Sequence, residues 1–295
     1  MTPQGTFTAL VTPFNEDGSV DYGAFRSLVQ WQVESGVEGV VPVGTSGESP
    51  TLDVKEHLKV IEATVEAVAG RAKVIAGTGA NCTAEAIALT REVKGIGVDA
   101  SLQVTPYYNK PNAEGLFRHF SAVAEIGVPV VLYNVPGRSG KEIPLEVVAR
   151  LSSNPNIAAI KEAGGSVDRV SAIREICDMP VLSGDDNLAL PMISVGAQGV
   201  ISVVSNVIPS EFSAFIRDAL AGKMAEASLF HTRYYTLFKS MFLDTNPICV
   251  KTALAMMGRV GPAFRLPLCE PTDEIAAKLR ATLEAYGLLK KGGTQ

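Results

Sequence analysis

The stretch Ile157-Ala158-Ala159-Ile160-Lys161-Glu162-Ala163-Gly164-Gly165 decides how the rest of the chain reads. An apolar run without polar alternation ends in a lysine and an acid, and two glycines soon follow. Such a run fits a strand buried on both faces, as parallel strands covered by helices are. Seven more runs of this kind lie at residues 7–11, 40–43, 74–76, 101–104, 128–133, 180–183 and 199–203. Helix-period segments such as 22–34, 54–69, 84–94 and 116–125 stand between them. Eight strand–helix units in roughly 200 residues match an α/β (β/α)₈ TIM barrel better than a doubly wound sheet. A dinucleotide-binding sheet would place G-x-G-x-x-G after its first strand, where this chain has Thr12-Pro13-Phe14-Asn15. Beyond about residue 222 the pattern changes. Segments 224–243, 247–257 and 272–287 all follow the helical period, with no strand-like run between them. The expected organisation is a catalytic barrel at residues 1–222 and a C-terminal helical region at residues 223–295. That region would pack on the barrel through Leu237, Phe238, Met241 and Phe242.

Composition narrows the function classes. The 295 residues are 46% hydrophobic and carry a formal charge of −5 without like-charge runs, which argues against nucleic acid or an anionic membrane as partner. The start Met1-Thr2-Pro3-Gln4-Gly5 lacks the basic-then-apolar pattern of a signal peptide. Apolar runs such as Val128-Pro129-Val130-Val131-Leu132 are too short to span a bilayer. Cys82, Cys177, Cys249 and Cys269 are scattered, so reduced and mostly buried thiols in a cytoplasmic protein are expected. His57, His119 and His231 lie far apart and have no metal-ligand spacing.

In a barrel of this type the chemistry lies at the carboxyl ends of the strands. Lys161 ends the sixth run, where an amine held at the top of the barrel core can attack a carbonyl. The same position also suits a lysine whose stem lies along the rim, with its amine in water or paired with Glu162. Gly44-Thr45-Ser46-Gly47-Glu48-Ser49 follows the second run. Its hydroxyls and backbone donors suit a small carboxylate, or simply a tight turn before the helix beginning near Asp53. Tyr133 ends the fifth run one strand from Lys161, and Arg138 follows in a Pro/Gly loop fit for bidentate carboxylate binding. Thr105-Pro106-Tyr107-Tyr108-Asn109-Lys110-Pro111 leaves the fourth run, its stiff tyrosines suited to a subunit contact or a hydroxyl relay. Ser183-Gly184-Asp185-Asp186 and the segment from Gly199 to Asn206 complete the rim.

Together and in this order, these motifs resemble the dihydrodipicolinate synthase / N-acetylneuraminate lyase family, over almost the whole chain. The resemblance implies a Schiff-base lysine at Lys161, an acid/base tyrosine at Tyr133, a relay threonine at Thr45 and a tyrosine given across a dimer interface at Tyr108. It implies that Thr45 and Ser46 hold the pyruvate carboxylate and that Arg138 binds the carboxylate of aspartate semialdehyde. Gly184 and Ile201 would line the pocket with their backbones. Ser46 stands where many members have a second threonine. No metal or organic cofactor is implied, because the lysine is itself the electron sink.

The resemblance further implies a homotetramer built as a dimer of dimers, and a feedback site for lysine at Ser49, His57, Asn81, Glu85 and Tyr107. Val54 stands where some lysine-sensitive members carry histidine. Within the family, an aldolase acting on N-acetylneuraminate or 2-keto-3-deoxy sugar acids is the alternative. A barrel that binds ligand without turning it over is the alternative outside enzymes.

Overall fold

The computed structural model describes residues 2–289. Residues 290–295 of the expected helical region lie outside the described residues. The eight runs form parallel strands β1 (Gly5–Ala9), β2 (Gly39–Val41), β3 (Lys73–Gly77), β4 (Ala100–Val104), β5 (Val130–Asn134), β6 (Ile157–Glu162), β7 (Val181–Ser183) and β8 (Gly199–Ser202). They close into one barrel in chain order, with β8 pairing β1.

Two apolar layers explain the unbroken runs. Phe7, Val41, Ile75, Leu102, Val131, Ala159 and Leu182 fill the barrel interior, while Val40, Val74, Val130, Leu132, Ile160 and Val181 face the surrounding helices. β1 begins two residues before the expected run and ends before Leu10. Gly5 and Thr6 pair with Gly199 and Val200, which fixes that start.

Helix termini follow their capping chemistry. Helix Val54–Val68 opens on Asp53, whose carboxylate takes the Glu56 amide at 2.8 Å while the Glu56 carboxylate takes the Asp53 amide. It closes on Ala69 in the left-handed region. After helix Pro209–Leu220 come Met224–Ser240, Ile248–Met256 and Asp273–Ala285. The first of these packs on Pro209–Leu220 through Phe212, Phe215, Phe230 and Phe238. Among the described residues no helix is long and apolar enough to cross a membrane.

The cysteines depart from expectation. Only Cys249 is buried; Cys177 is half-buried, and Cys82 and Cys269 are exposed. Cys82 sits in a loop at the start of helix Thr83–Ile96, outside the apolar layers.

Helix Ala113–Ala124 buries His119, whose Nδ1 lies 2.9 Å from Thr83 Oγ1. Burial pushes its pKa down to about 4. The unfolded chain, titrating near 6.5, therefore takes up this proton first as pH falls. The contribution is complete above the unfolded value and is lost as pH falls from about 6.5 to about 4. Asp186 acts with the opposite sign, because burial pushes its carboxyl up to about 6, so its contribution is lost as pH rises towards that value. Comparison with His119→Gln isolates the histidine. The wild-type melting temperature should drop more steeply than the variant's between pH 6.5 and 4, and parallel curves would refute the assignment.

Candidate active site

Strand alternation sends Lys161 into the barrel and Glu162 out of it. On β6, Ala159 and Lys161 face the interior, and Ile160 and Glu162 face the helices. Glu162 is fully buried there and committed elsewhere. Its Oε2 takes Arg169 Nε at 2.8 Å, and its Oε1 takes Asn134 Nδ2 at 2.8 Å and the Gly164 amide at 2.7 Å. Burial still pushes the Glu162 carboxyl up against these partners. A Lys161–Glu162 pair is thereby ruled out, and the rim-snorkelling geometry with it, since Lys161 is only 6% exposed.

Lys161 instead lies over Tyr133. The two residues are register partners on β5 and β6, and Nζ sits 4.2 Å from the ring centroid. Gly184 at the end of β7 makes room for it. A methyl group on Gly184 would stand 2.5 Å from Ala163 Cβ and 3.1 Å from Lys161 Cε, closer than packing allows.

A small cavity of about 90 Å³ opens over this amine, walled by Thr45, Ser46, Tyr133, Arg138, Lys161 and Asp185. Ile201 lies fully buried in the interior layer, and Val203 lines the cavity in that sector. Burial pushes the Asp185 carboxyl up, with Lys161 and Lys239 opposing.

The loop carrying Thr45 and Ser46 is tightly constrained. Gly47 and Ser49 amides both donate to Gly44 O, and Thr12 Oγ1 donates to Gly47 O at 2.7 Å. Val43 and Glu48 hold left-handed φ values of 50° and 53°, a conformation that costs side-chain-bearing residues roughly 1–2 kcal/mol. Glu48 is held there by Lys251 of helix Ile248–Met256, its Oε1 2.5 Å from Nζ with both side chains fully buried.

Asn246, just before that helix, reaches two candidate carboxylate ligands. Its Nδ2 donates to Ser46 Oγ at 3.0 Å, and its carbonyl takes Arg138 Nη2 at 3.1 Å. Neither Asn246 nor the Glu48–Lys251 pair was visible in the strand-end reading. Their partners lie about 100 to 200 residues away in sequence, and an asparagine before a proline carries no local signal for such a role.

A second, wider cavity of about 540 Å³ shares Thr45, Tyr133, Arg138 and Asn246 with the first. It runs outwards past Ser49, Val54, His57, Glu85 and Tyr107. His57 Nε2 donates to Gly77 O at 2.7 Å, and burial pushes its pKa down. Burial and the Glu85 charge push the Tyr107 hydroxyl up. Asn81 does not wall this cavity; its Nδ2 donates to Tyr107 O at 3.2 Å. Tyr108 walls neither cavity. It is 90% exposed, with its backbone at φ 73°.

The model of the dihydrodipicolinate synthetase family matches residues 2–286. The chain belongs to this family. The 4-hydroxy-tetrahydrodipicolinate synthase of Methanococcus maripaludis strain C6 is 49% identical over 289 residues, covering 97% of this chain and 100% of that relative. The chloride-inhibited dihydrodipicolinate synthase of Acinetobacter baumannii, solved in complex with pyruvate, superposes with a TM-score of 0.96. It is 42% identical and covers 98% of this chain and 100% of its own. The enzyme of Cyanidioschyzon merolae, solved with lysine bound, gives a TM-score of 0.93 at 41% identity, covering 97% and 99%.

Proposed function

We infer that the protein is a 4-hydroxy-tetrahydrodipicolinate synthase, a Schiff-base-forming lyase of the diaminopimelate route to lysine. It condenses pyruvate with L-aspartate 4-semialdehyde. Full-length relatives near half identity carry that name. The observation that carries the reading is the buried Lys161 amine on the face of Tyr133, in a cavity that also holds Thr45, Ser46 and Arg138.

In this reading Lys161 Nζ attacks the keto carbon of pyruvate, water leaves, and the iminium draws a proton off the methyl group. The resulting enamine carbon attacks the semialdehyde aldehyde. Tyr133 moves the protons, with Thr45 as its neighbour in the cavity wall. Thr45 and Ser46 hold the pyruvate carboxylate, beside the backbones of Gly184 and Ile201. Arg138, whose guanidinium is oriented by Asn246, holds the semialdehyde carboxylate. The substrate amine then displaces Lys161 and closes the ring.

Borohydride reduction with pyruvate should add the reduced pyruvoyl mass to Lys161. Turnover of pyruvate with aspartate semialdehyde should exceed that of N-acetylneuraminate or 2-keto-3-deoxy sugar acids by about a hundredfold or more. Comparable or reversed rates would move the protein to the sugar-acid aldolases, and an absent adduct would leave a binding protein.

A cytoplasmic homotetramer, a dimer of dimers, belongs to the same reading. Tyr108, exposed and held away from its own cavity, suits completion of a relay in a second copy. The wide cavity at Ser49, His57, Glu85 and Tyr107, with Asn81 behind Tyr107, suits a lysine whose ammonium groups meet Glu85. Millimolar lysine should inhibit turnover, and the effect should weaken in Glu85→Gln. A monomer by sedimentation, or full activity in lysine, would remove the interface site.

A further inference from the structure

We propose that Asp185 receives the ammonium of the second substrate and takes its proton when the ring closes. The proposal rests on the synthase reading above and adds the group that reads the amine.

Among the described residues, three charged side chains wall the inner cavity: Arg138, Lys161 and Asp185. The reacting pair presents three charged ends, namely two carboxylates and one ammonium. The hydroxyl loop at Thr45 and Ser46 and the Arg138 guanidinium match the carboxylates. The ammonium is left, and Asp185 is the one acid among the described residues of that wall.

Its position suits the chemistry. The substrate nitrogen must reach the carbon that Lys161 holds, and Asp185 follows the glycine packed against the Lys161 stem. The residue is fixed by its backbone, not by its carboxylate. Its amide donates to Ser183 Oγ at 3.2 Å, and its carbonyl takes the Ser183 hydroxyl at 2.8 Å. Among the described residues its carboxylate has no hydrogen bond or ion pair. Asp186 next to it is built differently: its Oδ2 takes the amides of Val203 and Val204 at 3.2 and 3.0 Å, bracing the end of β8. Burial raises the Asp185 carboxyl, which favours proton acceptance from an ammonium brought into the same dry site.

The step balances without a co-reactant. The substrate ammonium gives one proton to the Asp185 carboxylate. The freed amine forms a nitrogen–carbon bond to the Lys161 iminium carbon, giving a geminal diamine. A proton passes from the new nitrogen to Nζ, the carbon–Nζ bond breaks, and Lys161 leaves as the neutral amine. The cyclic iminium departs, and Asp185 returns its proton to solvent.

Asp185→Asn keeps the shape and removes the charge. The variant should still give the full borohydride-trapped pyruvate adduct on Lys161. Its kcat/KM for aspartate semialdehyde should fall roughly 10- to 100-fold, as expected for losing a charged hydrogen bond. Succinate semialdehyde has the same aldehyde and carboxylate but no amine, so its inhibition constant should stay at the wild-type value. Asp185→Glu should recover part of the loss. Loss of the pyruvate adduct would place Asp185 on Lys161 instead, and an equal loss for both aldehydes would make it a shaper of the cavity. Either result, or an unchanged kcat/KM, overturns the proposal. If Asp185→Asn fails to fold, Asp185→Ser carries the same comparison. A wild-type enzyme that ignores aspartate semialdehyde would overturn the synthase reading instead.

Discussion

Lys161→Ala is expected to lower kcat/KM by on the order of 10⁴-fold or more, because among the described residues Lys161 is the one lysine walling the inner cavity. Arg138 is the other cation walling the inner cavity, and its guanidinium donates to Asn246 O. The buried Lys251 is bound to Glu48 beneath the loop. Neither can replace the lost nucleophile. The fold should survive. Lys161 contributes a stem and one contact with the Tyr133 ring, worth roughly 0.5–2 kcal/mol. The variant should therefore melt within a few degrees of wild type and lose the borohydride adduct. Retained turnover would put the amine chemistry elsewhere, and a collapsed melting transition would make Lys161 a folding residue.

The second large effect is on stability. Lys251→Met strips the ammonium from Glu48 and leaves a fully buried carboxylate without its charge partner. Breaking one side of a buried pair costs about 3–5 kcal/mol, because the remaining charge keeps its desolvation penalty. For a chain of this length that corresponds to a melting temperature roughly 5–15 °C lower. Wild type and variant need comparison at one protein concentration, since association adds to apparent stability. Lys251 also loses its seat over the Phe14 ring, 4.0 Å from the centroid, where Arg265 stacks at 4.4 Å. Glu48→Gln combined with Lys251→Met removes both charges and should regain much of the loss. The single variant should also raise the KM for pyruvate, because Glu48 anchors the loop that presents Thr45 and Ser46. A single variant as stable as wild type would mean that the loop holds itself.

Both experiments probe how the C-terminal helices serve the barrel. Asn246 and Lys251 hold, respectively, the Ser46 and Arg138 side chains and the loop behind them. The region that first reads as an appendage therefore supplies the back wall of the site.

What was legible in the chain follows local rules. Unbroken apolar runs, helical periods and caps act over a few residues, so the eight strands, their order and the placing of Lys161 and Tyr133 at strand ends were all readable. Period-two alternation even separates Lys161 from Glu162, although the sequence left their pairing open. Tertiary structure decided what depends on packing between distant elements. Packing of the C-terminal helical region on the barrel brings Ser46 to Asn246 and Glu48 to Lys251 across about 200 residues, and no periodicity carries such a separation. Tertiary structure also gave Glu162 to Arg169, placed Asp185 in the same cavity wall as Lys161, and exposed Cys82 and Cys269. Hydrophobic pattern sets which face of an element is buried, whereas the polar partner waiting at that depth depends on how distant elements pack.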